Sequence, residues 1–128
     1  MRIHTSILFL LVTSSVLAAL HILALEFYLY WQYPWFDLPM HFLGGAVVAL
    51  SLFAMTAFGI PIPSAFRRLV PVLAFVLFVG IAWEVWEVLA DISTREQNYL
   101  FDTAVDLVMD LSGGFLGYII GSRLHLLD

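Results

Sequence analysis

A polytopic all-α membrane bundle of four helices is the fold class this sequence predicts, and three observations carry the prediction. Hydrophobic residues make up 62% of the 128-residue chain and charged residues only 12%, with a mean hydropathy of +0.99, well outside the composition of a soluble domain. Four apolar runs follow one another, each long enough to cross a hydrocarbon core about 30 Å thick. The connections between them are short, so neighbouring helices run antiparallel and residues 1–128 form one membrane domain.

The first run extends from Ile7 to Trp31 and is interrupted by Thr13, Ser14, Ser15, His21 and Glu26. A cleaved signal peptide is the competing reading, because Ser15 to Ala18 resembles a small-residue cleavage site. Continued apolar character to Tyr30 favours a span. The second run, Leu38 to Ile60, is opened by Asp37 as an N-cap with Pro39 in the first turn, and Pro61, Ile62 and Pro63 close it. The third is Leu69 to Ala90, with Pro71 tolerated in its first turn. The fourth is Leu100 to Gly121.

Charge sets the orientation and narrows the function. Arg2, Arg67, Arg68 and Arg123 fall on one side and Arg95 alone on the other, which predicts cytoplasmic termini for a multi-pass protein. Aromatic residues from Tyr28 to Trp35, with Trp83, Trp86 and Tyr99, then form a belt at the outer interface. Ten acids against five arginines leave a net charge of -5, which argues against nucleic acid as a partner. Membrane lipid is the expected partner, and four short helices close either alone or with a second copy as a homo-oligomer. With no cysteine, neither a disulfide framework nor a thiolate metal site can form.

The chemistry concentrates between Phe101 and Gly114, FDTAVDLVMDLSGG, where Asp102, Asp106 and Asp110 recur every four residues. On a helix this spacing stacks three carboxylates on one face above the small residues Gly113, Gly114 and Gly117. Acids inside a span normally face a bundle interior or a wet cavity. The other helices match this pattern: Asp37 and His41 are i,i+4, and Glu84 and Glu87 are i,i+3. Small residues beside each set (Gly44 and Gly45, Gly80, Gly113) mark the polar faces as the packed ones. A segment from Asp37 to Gly45 also aligns with Asp106 to Gly114, sharing an aspartate, a leucine, a methionine and both glycines. Such a match is consistent with a parallel repeat of two helical hairpins, and chance similarity between two glycine-rich membrane segments is its rival.

Two carboxylates about 5 Å apart repel by roughly 3 kcal/mol at an effective dielectric near 20, so the cluster needs bound cations, shared protons or both. Oxygen ligands with one imidazole suit Mg²⁺, Mn²⁺, Fe²⁺ or Zn²⁺. The expected metal ligands are Asp37, His41, Glu84, Glu87, Asp102, Asp106 and Asp110, with Glu26 and Thr103 as additions. An interhelical network of protonated acids is the bland alternative. Asp91 and Glu96 read as loop charges, and the hydroxyls of Thr13, Ser51, Thr56 and Ser112 read as bonded to their own helices.

Asp37 with His41 and Phe42, the run Trp83 to Glu87, and Phe101 to Asp106 resemble the YjdF-like family of small bacterial inner-membrane proteins and, more loosely, VanZ-like proteins. The resemblance spans Asp37 to Gly114 and matches that pattern at Asp37, His41, Glu84, Glu87, Asp102, Thr103 and Asp106. It departs at Leu43, where a glutamine is expected, and lacks a longer acidic segment before the last helix. What the resemblance implies is a site, without a particular reaction. The residues leave three functions open: a metal-dependent hydrolase or transferase acting on a lipid or lipid-linked substrate, a cation or proton translocator, and a non-catalytic membrane subunit.

Overall fold

The computed structural model describes residues 4–90 and 98–125. Arg2, Asp91, Arg95, Glu96 and Asp128 lie outside the described residues. Every regular element described is helical: α1 (Thr5–Glu26), the short α2 (Leu29–Gln32), α3 (Asp37–Ala57), α4 (Leu69–Leu89) and α5 (Tyr99–His125), with single 3₁₀ turns at Pro34–Phe36 and Ser64–Arg67. Four of these, α1 and α3 to α5, are long and apolar enough to cross a membrane. Large apolar side chains point outward along them, including Leu11, Val12, Phe78 and Val108, as lipid-facing surfaces do.

Local chemistry explains where the helices stop. The first helix ends at Glu26, short of the apolar run that reaches Trp31, because Tyr28 adopts the left-handed conformation (φ 55°). That conformation costs a non-glycine residue about 1–2 kcal/mol, and the turn is held by backbone bonds from Trp31 and Gln32 to the Tyr28 carbonyl. The Gln32 side-chain amide also donates to the Phe27 carbonyl at 3.2 Å. Asp37 is not an N-cap: Phe36 occupies that position, and Asp37 sits in the first turn of α3 without a capping bond. Its carboxylate is thereby free to face inward while still near the positive end of the helix. The other end of α3 closes at Ala57 with Gly59 at φ 81°, a conformation that glycine adopts at little cost, and Pro61 and Pro63 follow.

The most extensive helix contact is between α3 and α5, with α1 laid against α3 and α4 against α5. Glycines set the distance. A Cβ at Gly45 would collide with the backbone of Asp110, and one at Gly113 with the backbone of Phe42. Further along, Gly117 lies over Ala46 and Ala49, and Gly121 over the Phe53 ring. These contacts join residues about one repeat length apart, as two parallel helices require. Below the crossing, Ala49, Phe53, Val72 and Val76 form the buried core. Gly44, by contrast, has open space beside it, so only one of the paired glycines on α3 serves the contact. The hydroxyls of Thr13, Ser51, Thr56 and Ser112 each donate to a carbonyl three or four residues earlier in their own helix.

Candidate metal centre

His41 is the hub. Its side chain is buried where α3, α4 and α5 meet, one helical turn inside α3. Nδ1 lies 3.3 Å from Asp110 Oδ1, and an ionised Asp110 carboxylate can only accept, so in that state Nδ1–H is the donor. Nε2 turns the other way. It lies 3.6 Å from Asp37 Oδ2, 3.9 Å from Glu84 Oε1 and 3.9 Å from Asp106 Oδ2. Nε2 thus faces three carboxylates from three helices, and a neutral Nδ1–H imidazole would offer its Nε2 lone pair to a cation held among them.

The acids around it are unusually short of partners. Glu84, Asp106 and Asp110 are 4%, 3% and 6% exposed, and Glu84 Oε1, Asp106 Oδ1 and Asp110 Oδ2 each lack a hydrogen-bond partner among the described residues. Buried polar atoms are nearly always paired, and leaving one unpaired costs about 1–3 kcal/mol. Glu84 is anchored on its other side, where the Thr103 hydroxyl donates to Oε2 at 2.8 Å. Asp110 Oδ2 lies over Gly80, where an added Cβ would come within 2.5 Å of it. Asp37, His41 and Asp106 also offer ligand atoms all within 4.8 Å of one another.

The structure brings together five of the residues expected from sequence: Asp37, His41, Glu84, Asp106 and Asp110. Thr103 joins them through Glu84. Glu87 is half-buried and accepts from the Trp83 indole N–H at 2.8 Å, and Asp102 is half-buried one turn above Asp106. Neither is paired with His41. Glu26 is exposed at the end of α1 and makes none of these contacts. The aligned segments gain a geometric meaning, since the positions they equate, His41 with Asp110 and Asp37 with Asp106, are the ones that meet across the α3–α5 crossing.

One pair escaped the sequence reading. The Tyr30 hydroxyl lies 2.8 Å from His21 Nδ1. Burial, followed by the negative charges of Asp37 and Glu87, pushes the Tyr30 phenol up to about 12, so it stays protonated and the two groups share a hydrogen bond. No periodicity could have linked them, because the left-handed turn at Tyr28 is what folds α2 back toward α1.

The model of the family described as "Predicted membrane protein (DUF2238)" matches residues 2–126. The chain belongs to this family. The YjdF-like domain is the same family, so that resemblance stands, while the looser VanZ-like one has no part in the match. No curated protein and no solved structure matches the chain.

Proposed function

We propose that this DUF2238 protein binds one divalent metal ion through Asp37, His41 Nε2 and Asp106, with Glu84 beside the position they leave open and Asp110 orienting the imidazole from behind. The observation that carries the reading is that Asp37, His41 and Asp106 offer ligand atoms all within 4.8 Å of one another, beside Glu84 Oε1, a buried oxygen without a hydrogen-bond partner among the described residues. Metal-binding histidines commonly donate their second N–H to a carboxylate, which fixes the ring and its tautomer. Donors bound about 2.1 Å from a tetrahedral ion lie about 3.4 Å apart, close to the 3.6–3.9 Å separations around Nε2. The imidazole favours Zn²⁺, Fe²⁺ or Mn²⁺ over Mg²⁺. Glu87 and Asp102 are assigned to the rim of the site and not to the ion, a narrower ligand set than the spacing of the acids suggests.

Metal-dependent hydrolysis or group transfer on a lipid or lipid-linked substrate is the activity this arrangement supports best. A bound ion would activate a water or polarise an ester oxygen at the position its three ligands leave open, and Glu84 is placed to take a proton beside it. Translocation is disfavoured because the glycine contacts of Gly45 and Gly113 close the crossing directly beneath the cluster. With Arg67, Arg68 and Arg123 at the opposite end, the site belongs to the outer half of an inner-membrane bundle.

Metal analysis of the purified chain is the test. The wild type should carry close to one equivalent of ion, and His41→Ala and Asp106→Asn should carry far less. Equal content in all three, or none in any, would sink the reading.

A further inference from the structure

A cleft of about 310 Å³ lies between α4 and α5, walled by Ile81, Val85 and Val88 on one side and Leu100 and Leu107 on the other, with Glu84 and Thr103 also lining it. Two features single it out. It opens between two helices that both qualify as spans, and its outer wall is exposed, Ile81 at 47%, Val85 at 52% and Leu100 at 83%. Read as spans, these helices put hydrocarbon at the deeper part of its mouth and the outer interface, marked by Tyr99, at its upper end. A recess left empty there forfeits dispersion contacts along its whole lining, and apart from Glu84, Thr103 and Tyr99 that lining has nothing to offer water or an ion.

The second feature is that the cleft and the candidate metal centre share a residue. Thr103 holds Glu84 Oε2, while Glu84 Oε1 faces His41 Nε2 at 3.9 Å. One carboxylate thus separates an aliphatic recess from the cluster, and one of its oxygens still lacks a donor. Ligand sites commonly pair an apolar wall with a few convergent polar groups in this way.

We propose that the cleft seats the hydrocarbon chain of a bilayer phospholipid, with the lipid's polar head directed toward the Glu84 and Thr103 pair. The seat for the chain stands on the cleft alone. Only the meaning of the head's position, delivery of a substrate to the metal, rests on the functional reading above.

The test uses the full chain in phosphatidylcholine and phosphatidylglycerol vesicles doped with a phospholipid carrying a diazirine in its acyl chain. After photolysis, mass spectrometry should find Ile81, Val85, Val88, Leu100 or Leu107 labelled roughly fivefold or more above Leu11 and Val12, which are 55% exposed on α1 and line no such cleft. Val88→Trp, a change at the partly exposed rim, should lower the cleft labelling by a similar factor and leave that of α1 unchanged. Uniform labelling of all exposed faces would overturn the proposal. So would disulfide formation between two copies of Val88→Cys in the same vesicles, which would give the cleft to a second chain. Metal content measured on the same samples separates the two readings: focused labelling without metal removes the metal centre alone, and metal with uniform labelling removes the lipid seat alone.

Discussion

The two halves of the α3–α5 crossing use the same pair of parallel helices for opposite ends. Beyond Gly45 and Gly113 the helices meet backbone to backbone, and Gly117 and Gly121 admit Ala46, Ala49 and Phe53. On the other side of those glycines the same two helices hold His41, Asp37, Asp106 and Asp110, with oxygens left unpaired. Membrane helices gain little from the hydrophobic effect between them, so close contact at small residues is what holds them together. The difference suggests a division of labour. The glycine half supplies the rigidity that keeps mutually repelling carboxylates within reach of one imidazole, and the polar half gives up stability to create a site.

Breaking the glycine half should have the largest effect. Gly113→Leu drives a side chain into the Phe42 backbone, and overpacking of this kind costs about 1–3 kcal/mol or more. The expected outcome is loss of folded, monodisperse protein on size-exclusion chromatography in detergent. Gly44→Leu, at a position with open space, should be recovered in normal yield. If both behave alike, the crossing is not what holds the bundle.

The polar half gives the next largest effect. Asp110→Asn preserves shape but no longer holds the His41 N–H with a charged acceptor, and loss of such an orienting partner typically weakens metal affinity about 10- to 100-fold. Titration with Zn²⁺ or Mn²⁺ should show this loss. Asp102→Asn should stay within about threefold, since Asp102 is not paired with His41, and equal losses would erase the distinction between site and rim.

Smaller effects sharpen the comparison. Thr103→Val removes the donor to Glu84 Oε2 and leaves a buried acceptor unpaired, at about 1–3 kcal/mol, visible as a lower midpoint of thermal unfolding in detergent. Tyr30→Phe removes the bond to His21 for about 1 kcal/mol. The phenol titrates at about 12, above its usual 10. Its contribution is therefore fully present below pH 10 and is lost as pH climbs toward 12. Between about pH 8 and pH 10 wild type and Tyr30→Phe should differ by a constant amount, with the difference shrinking only above that range, a comparison that thermal scans can make.

Much of this molecule was legible in its residues. Apolar runs of the length of a bilayer mark the four spans, because a chain in hydrocarbon must satisfy its own backbone and the helix does so locally. The fourfold spacing of Asp102, Asp106 and Asp110 and the pairing of Asp37 with His41 place each set on one face by helix geometry alone. Periodicity is a property of single helices, and it ends there. The break at Tyr28 was hidden because the residues around it stay apolar while the backbone turns, and the choice of Gly45 over Gly44 depends on rotation about the α3 axis, which two adjacent glycines cannot reveal. Only the tertiary structure separated the acids that meet His41 from Glu87, Asp102 and Glu26, which share their character and not their position. It alone also set Asp110 behind the imidazole and the others before it. The physical reason is that a side chain's chemistry is written in its own helix, whereas its partners are decided by how closely neighbouring helices can approach, and here backbone contact at glycine sets that distance.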